Sequence, residues 1–193
     1  MRIVLIDDSG LRATVLEEGL LEAGYDDIHV VLPRGGFVAK VERMAPDVVL
    51  MDLGNPSRDT LEEMLAVSRA LAKPIAMFVD SSDDTMIGAA IDAGVSAYVV
   101  NGLRKDRVQP ILNLAIRRFN AFARMQAELN EAKTALADRR TIDKAKAILM
   151  AARNLSEPDA YGLLRTTAMN QGRRIVEVAD ALITASSLIG AGL

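Results

Sequence analysis

Five short apolar runs alternate with amphipathic segments over roughly the first 120 residues of this chain. The runs cover residues 2–6, 29–32, 47–51, 74–79 and 97–100, and helical patterns follow at about 9–23, 36–44, 59–71, 82–93 and from about 106. The third run, DVVLM, is apolar after its first residue, as expected of a strand that is covered on both faces. The alternation predicts an α/β fold with a doubly wound, five-stranded parallel sheet.

Acidic residues stand where two of these strands end. Asp7 and Asp8 close the first strand, and Asp52 closes the third. Ligand sites in open parallel sheets gather at the carboxyl ends of the strands, and carboxylates that converge there repel one another unless a cation lies between them. Oxygen ligands suit Mg²⁺. The sequence therefore predicts an acidic pocket of Asp7, Asp8 and Asp52, in which residual Mg²⁺ binding stays open although no cofactor is required.

The first 120 residues resemble the receiver domain of two-component response regulators. Asp52 stands at the place of that family's phosphoryl-accepting aspartate, and Pro56 and Asp59 follow it at the family's usual offsets. Gly94 and Tyr98 lead into the fifth strand as they do in receivers. The resemblance implies a receiver-like, flavodoxin-like domain in which Asp52 is the phosphoacceptor-like residue.

Two groups that contact the phosphoryl group in receivers are missing here. Val79 stands where the family has Thr or Ser, although Ser81 lies close by, and Asn101 stands where it has Lys. Losing a charge-assisted contact costs about 1.5–3 kcal/mol. We therefore interpret the domain as a pseudo-receiver that serves for docking and dimerisation, with Tyr98 packed and static for want of a hydroxyl partner. Phosphorylation of Asp52 is the alternative.

A heptad stripe continues the fifth helix beyond the sheet domain, through residues 110–137. Two interpretations stay open: one long helix that packs along its own domain, or a short parallel coiled coil that joins two chains into a homodimer through residues 111–136. In both, the segment is a stiff helical connector. The stripe consists of Ile111, Ala115, Arg118, Phe122, Met125, Leu129, Ala132 and Leu136.

Residues 138–193 predict a module of three short amphipathic helices. Ser156, Pro158 and Asp159 form a capping arrangement that starts the second helix, and Gly172 lies in the turn that follows it. Apolar residues at helical spacing predict the buried stripes. These are Ile142, Ala145, Leu149 and Ala152 in the first helix, Ala160, Tyr161, Leu164 and Ala168 in the second, and Ile175, Val178, Ala179, Leu182 and Ile183 in the third.

The run from Arg139 to Ala179 resembles the ANTAR domain, an RNA-binding antitermination module. The resemblance implies a domain that binds RNA hairpins and catalyses no reaction. The residues that carry it, at the family's spacing, are Ala145-Lys146, Leu149-Met150, Ser156-Glu157, Ala160-Tyr161, Leu164-Arg165, Ala168-Met169 and Val178-Ala179.

Basic side chains recur in the first helix of this module on faces that its core does not need. Arg139 and Lys146 lie seven residues apart on one face, and Arg140 and Lys144 form an i, i+4 pair beside them. Lys146 belongs to the Ala-Lys step of the resemblance, so we expect it to contact RNA. The arginines fit an ordinary solvated surface equally well.

The second and third helices supply the other candidate RNA contacts. Arg165 is expected to contact a base or a phosphate. Tyr161 and Met169 are expected mainly in the core, with stacking on unpaired bases as the alternative. Arg173 and Arg174 are expected to open the third helix, where two cations oppose the macrodipole unless a phosphate binds there.

The composition restricts the function further. The 193 residues include no cysteine, which excludes disulfides and fits a reducing cytoplasm. No signal peptide and no apolar run of ~18 residues is found, so we expect no membrane contact. The net charge is −7 over residues 1–109, with 11 Lys and Arg against 18 Asp and Glu, and +2 over 138–193, with 8 against 6. No catalytic pair, zinc spacing or phosphate-binding glycine loop occurs, so we expect no enzyme.

The order of a receiver-like domain (1–120), a connecting helix (110–137) and an ANTAR module (138–193) is similar to the AmiR/NasT group of antitermination regulators. The receiver departures and the MDLGNPSRDTLE segment are most similar to NasT-type nitrate-assimilation regulators. The resemblance implies binding to hairpins in leader mRNA, control by a sequestering sensor protein, and a role in nitrate assimilation. The alternatives are a phosphorylation-dependent regulator with the same RNA output and a protein-interaction adaptor that binds no RNA.

Overall fold

The structure, a computed structural model, describes residues 1–7, 10–34, 36–54 and 58–190. The chain forms two compact units, Met1–Arg124 and Met125–Leu193. Its elements in chain order are β1 (Ile3–Asp7), α1 (Leu11–Glu22), β2 (Ile28–Val31), α2 (Phe37–Met44), β3 (Val48–Gly54), α3 (Arg58–Leu71), β4 (Ile75–Val79), α4 (Asp84–Asp92), β5 (Ala97–Val100), α5 (Lys105–Arg153), α6 (Glu157–Gln171) and α7 (Ile175–Gly190).

The N-terminal unit contains a five-stranded parallel sheet with the order β2-β1-β3-β4-β5. This order confirms the predicted doubly wound, flavodoxin-like fold. In the register of β1 and β3, Ile3 lies beside Val48 and Asp7 beside Asp52. The pairing places both acidic residues at the same carboxyl edge of the sheet.

Alternate residues of each strand enter two separate cores, because successive side chains point to opposite faces of a sheet. Val4 and Ile6 belong to the core under α2, α3 and α4. Ile3 and Leu5 belong to the other core, which α1 and the start of α5 cover. Burial on both faces explains why the central strands are apolar throughout.

The start of α5 packs closely on α1. A Cβ atom on Gly19 would lie 2.9 Å from the backbone oxygen of Lys105 and 3.1 Å from Val108 Cγ2, so only glycine allows this approach. The Lys105 ammonium lies 3.1 Å from Glu18 Oε2 and 2.6 Å from Glu22 Oε1. These contacts hold the first turns of α5 against the sheet domain.

The helix α5 runs without interruption from Lys105 to Arg153. The first helix of the C-terminal module is therefore the end of α5 and not a separate short helix, since no glycine or proline stands near residue 138 to stop it. Although α5 has 49 residues, neither it nor any other helix in the described part is apolar enough along its length to cross a membrane.

The C-terminal unit packs α6 and α7 with the end of α5. Its core contains Ala145, Leu149, Ala160, Leu164, Ala168, Val178 and Ala179, with Ile142, Ile175, Leu182 and Ile183 packed against it. Most of the predicted stripes are thus confirmed. Ala152 and Tyr161 are exceptions, because both are exposed.

The ends of α6 follow the predicted capping pattern. Ser156 accepts a hydrogen bond from the Asp159 backbone N–H at 3.4 Å, and Pro158 lies in the first turn. Gly172 ends the helix with φ 61°, a left-handed conformation that favours glycine. These stop and start signals fix the length of α6.

We expect Gly19→Ala to lower the free energy of unfolding by about 1–3 kcal/mol, because the added methyl group meets backbone that has no room to move. Gly88→Ala is the matched control: it lies within α4, and its Cβ would meet nothing within 4 Å. That substitution should stabilise by up to ~1 kcal/mol through helix propensity. Urea unfolding with unchanged m-values measures both. Equal effects of the two substitutions would contradict the close α1–α5 packing.

Candidate functional sites

Two carboxylates lie buried side by side at the carboxyl edge of the sheet. Asp7 ends β1, Asp52 lies in β3, and both side chains are 0% exposed. The backbone N–H of Ala13, in the first turn of α1, donates to Asp7 Oδ2 at 2.7 Å. Asp8, the third predicted member of the pocket, and Pro56 lie outside the described residues.

Arg12 is the cation of this pocket, and the sequence analysis missed it. Its Nε donates to Asp52 Oδ2 at 2.8 Å, and its Nη1 donates to Asp80 Oδ1. The guanidinium thus joins α1 to β3 and to the residue that follows β4. An arginine in the first turn of the helix that follows an acidic pair was the available signal, but only the fold brings Asp80 to it.

Gly54 permits this arrangement. The β3–β4 register shifts between Asp52 and Gly54, and Gly54 has φ 53°. A Cβ atom on Gly54 would lie 3.5 Å from Asp80 Oδ2 and 3.7 Å from Arg12 Nη1. Both distances are ordinary van der Waals contacts, so the positive φ of Gly54 is what favours glycine at this position.

Burial and the ion pairs have opposite effects on the charges of the pocket. Burial raises the pKa of the Asp52 carboxyl above its ordinary value, although the hydrogen bond and charge of Arg12 act to lower it. Burial also acts to lower the pKa of Arg12, but the hydrogen bonds to Asp80 and Asp52 outweigh it and the pKa is raised. Arg12 is therefore a permanent positive charge beside Asp52.

Two of the three predicted metal ligands, Asp7 and Asp52, lie in the described part of the pocket. Among the residues that the structure describes, no group of three or more His, Cys, Asp or Glu side chains could hold one. The Asp52 oxygen Oδ2 already accepts from Arg12. The predicted set of Asp7, Asp8 and Asp52 stays a prediction, because Asp8 is outside the described residues.

The two residues that depart from the receiver pattern lie at the ends of the fourth and fifth strands, as predicted. Val79 is buried in β4, and Asn101 is exposed in a left-handed turn after β5. The expectation that Tyr98 has no hydroxyl partner is wrong. Its hydroxyl lies 2.8 Å from Ser82 Oγ, because the loop after β4 brings a serine three residues beyond Val79 within reach.

The heptad stripe divides into two parts. Ile111 and Ala115 pack in the core beneath α5. The later apolar members are exposed in the single chain: Phe122 by 63%, Met125 by 66%, Leu129 by 46% and Leu136 by 52%. The first interpretation, in which the helix packs along its own domain, therefore applies to the beginning of the stripe. The second interpretation, a coiled coil between two chains, stays open for its later part.

Lys146 is held between two carboxylates of the C-terminal unit. Its Nζ lies 2.7 Å from Asp143 Oδ1 and 2.6 Å from Glu157 Oε1, and its side chain is 15% exposed. Hydrogen bonds to Asp143 and Glu157 raise the pKa of Lys146, and the hydrogen bond from Lys146 lowers the pKa of Asp143. In the free chain Lys146 therefore joins α5 to the first turn of α6.

Arg173 and Arg174 are also paired, and they precede α7 instead of opening it. Arg174 Nη2 lies 2.6 Å from Asp138 Oδ2 on α5. Arg173 Nε lies 3.5 Å from Glu177 Oε2, and its Nη2 donates to the Glu177 backbone oxygen at 3.2 Å. The expected phosphate contact would have to compete with these carboxylates.

Tyr161, Arg165 and Met169 form an outward stripe on α6. They are spaced four residues apart and so share one side of the helix. Tyr161 is 43% exposed and Met169 is 72% exposed, so the expectation that they are core residues is wrong. Arg165 is exposed too and makes no ion pair with any residue that the structure describes. The buried face of α6 is narrower than the sequence suggested, because it consists of Ala160, Leu164 and Ala168, two of which are small.

The remaining cations lie on α5. Arg140 and Lys144 are exposed and form no ion pair within the described ranges, and Arg139 is 83% exposed with Asp143 at 4.0 Å. Arg139 and Tyr161 line an open groove of about 680 Å³ in the C-terminal unit. The groove also contains Lys146 and its carboxylate partners, so its described walls carry no excess of positive charge.

The comparisons with known proteins agree with the two parts of the chain. Residues 130–183 match the family model of the ANTAR domain. The transcriptional regulatory protein PdtaR of Mycobacterium tuberculosis is 26% identical over 182 residues, which cover 94% of this chain and 89% of the relative. The nitrate regulatory protein of Klebsiella oxytoca is 35% identical over 86 residues, which cover 45% of this chain and 21% of that protein.

Solved structures resemble the sheet domain. The signal receiver domain of a modulated diguanylate cyclase from Desulfovibrio desulfuricans G20 has a TM-score of 0.52 at 21% identity, over 62% of this chain and 95% of that one. A CheY-like receiver domain protein from Methanospirillum hungatei JF-1 has a TM-score of 0.53 at 16% identity, over 62% and 96%. At these identities the likeness establishes the receiver fold alone.

Proposed function

We propose that this chain, which has a receiver fold followed by an ANTAR domain over residues 130–183 and is similar along its length to an ANTAR-type transcriptional regulator, is a transcription antitermination regulator. It binds hairpin loops in a leader transcript through the ANTAR domain and so keeps a terminator from forming. It acts in the cytoplasm and catalyses no reaction.

The observation that carries this proposal is the outward stripe of Tyr161, Arg165 and Met169. Unpaired bases of RNA loops stack on aromatic and apolar side chains and on guanidinium planes. The stripe offers all three groups on one side of α6, and Arg165 has no ion pair with any described residue that would have to break before it binds. A short loop is a fitting target for so small a surface.

The other candidate cations contribute differently. Arg139, Arg140 and Lys144 are exposed on α5 and can approach phosphates directly. Lys146, Arg173 and Arg174 contact RNA only if a phosphate replaces the carboxylates that hold them. We therefore place Arg165 first among the contacts and these three residues last.

We also propose that a ligand-sensing partner protein controls the regulator by sequestering it, through a pseudo-receiver that is not phosphorylated. Val79 and Asn101 support this, because they supply neither the hydroxyl nor the ammonium that a phosphoryl group needs. A role in nitrate assimilation is supported by the partial match to the nitrate regulatory protein. Phosphorylation of Asp52 with the same RNA output is the alternative mode of control.

A second copy of the chain is the partner proposed for the later heptad stripe. Phe122, Met125 and Leu129 have the alternating three- and four-residue spacing of a coiled-coil seam and are exposed in the single chain. Glu128 and Lys133 occupy the flanking positions of successive heptads, where a parallel dimer pairs opposite charges between chains. A dimer presents two ANTAR domains to neighbouring hairpins, which raises the effective concentration of the second contact.

Arg165→Ala tests the RNA contact in the full-length chain. The probe is a set of RNA hairpins with randomised loops, enriched on the wild-type protein. We expect binding to weaken by about 1–3 kcal/mol, roughly 5- to 150-fold in Kd, with a salt slope lower by about 1 if a phosphate is contacted. Thermal stability should not change, since the side chain is exposed.

Arg107→Ala is the control for that experiment, because it removes an exposed arginine of α5 in the N-terminal unit and should leave RNA binding unchanged. Unchanged binding in both Arg165→Ala and Tyr161→Ala would contradict the stripe as the contact surface. Failure of the wild-type protein to enrich any RNA would contradict the antitermination function and favour the adaptor alternative.

Leu129→Glu tests the dimer. A charge in the seam should weaken dimer association by about 3–5 kcal/mol, which is more than roughly 100-fold in dimer affinity, because the charge is buried without a partner. The control is Thr134→Glu, which adds the same charge on the outer side of the helix five residues along. Sedimentation velocity should give a dimer for the wild type and the control and a monomer for Leu129→Glu. A monomeric wild type would refute the proposal.

A further inference from the structure

The acidic pocket of the N-terminal unit contains a positive charge that belongs to the chain itself. Arg12 contacts Asp52 at 2.8 Å through Nε and Asp80 through Nη1, so its guanidinium bridges two carboxylates on two strand ends. Asp52 is buried and Arg12 is 26% exposed. The ion pair is therefore partly shielded from water. Charge interactions are stronger in such a partly buried place than at the surface.

Two carboxyl groups of the pocket are buried next to each other. Asp7 and Asp52 are neighbours in the β1–β3 register and both are buried. Buried carboxylates need a cation or hydrogen-bond donors. A divalent ion with oxygen ligands is one such cation. A fixed guanidinium is another, and it opposes binding of the divalent ion, because it occupies Asp52 Oδ2 and repels a second cation.

We propose that Arg12 is the resident cation of this pocket, which holds Asp52 and Asp80 in the place where a divalent ion would bind and so keeps Mg²⁺ and Mn²⁺ out. The single positive charge of Arg12 stands beside the three described carboxyl groups of Asp7, Asp52 and Asp80, so it offsets the charge of the pocket in part. Arg12 is a positioning residue, and the inference deepens the pseudo-receiver part of the proposed function.

The test measures Mn²⁺ binding to the full-length chain by the loss of the electron paramagnetic resonance signal of free Mn²⁺. Arg12→Gln removes the charge and keeps hydrogen-bonding capacity, and it should raise Mn²⁺ affinity by about tenfold or more. Asp52→Asn in the Arg12→Gln background should cancel the gain. Asp80→Asn, which loosens the guanidinium at a partly exposed carboxylate, should give a smaller gain.

Arg2→Gln is the matched control, because Arg2 pairs with Asp27 at the other end of β1, and it should not alter Mn²⁺ binding. If Arg12→Gln is less stable, Mn²⁺ should raise its melting temperature and not that of Arg2→Gln. Equal Mn²⁺ affinity of the wild type and a folded Arg12→Gln overturns the proposal.

The pseudo-receiver proposal is separable in the same samples. Incubation of the wild type with radiolabelled acetyl phosphate and Mg²⁺ should leave Asp52 unlabelled. If no label is found and Arg12→Gln gains no Mn²⁺ affinity, the role of Arg12 is wrong while the pseudo-receiver proposal stands. Strong labelling that Asp52→Asn abolishes overturns both.

Discussion

The ion pair of Arg12 with Asp52 and Asp80 is the interaction on which the account of the N-terminal unit depends. A parallel sheet brings its acidic strand ends together whether or not a ligand is present, because the register of β1 and β3 makes Asp7 and Asp52 neighbours. Their charge has to be offset, and the chain supplies one positive charge of its own, the Arg12 guanidinium beside Asp52. A receiver fold can then be stable without the phosphorylation chemistry of the response regulators that it resembles.

The same principle separates the cations of the ANTAR domain. Lys146 and Arg174 are held by carboxylates on neighbouring elements and stabilise the packing of α5, α6 and the turn before α7. Arg165 has no such partner among the described residues. A cation that stays exposed between two exposed apolar side chains contributes little to folding, which leaves binding as the better explanation of its position.

Much of the fold could be predicted from the sequence, because periodicity and capping are local. The strand β5 has the predicted limits, and the start of α6 follows from Ser156 and Pro158. The continuity of α5 is an exception: the sequence analysis predicts a new short helix from residue 138, where the ANTAR resemblance begins, but α5 continues to Arg153. A helix ends only where a residue or a contact stops it.

The candidate sites were predicted less well, because ion pairs depend on residues that are distant in sequence. Asp80 is 68 residues from Arg12, and only the sheet order brings them together. Tyr161 was assigned to the core because helical spacing alone does not tell the centre of an apolar face from its edge. Lys146 is predicted to contact RNA from its place in the ANTAR resemblance. The Glu157 carboxylate that holds it lies 11 residues further along the chain, at the start of α6.

Ultraviolet crosslinking of RNA to the protein in living cells, followed by mass spectrometry of ribonucleotide-bearing peptides, tests the central claim most directly. The chain is expressed in excess over any sequestering partner, so that the ANTAR domain is accessible. We predict adducts on the tryptic peptide of residues 154–165, which contains Tyr161. Adducts confined to the N-terminal unit, or none at all, would contradict the account.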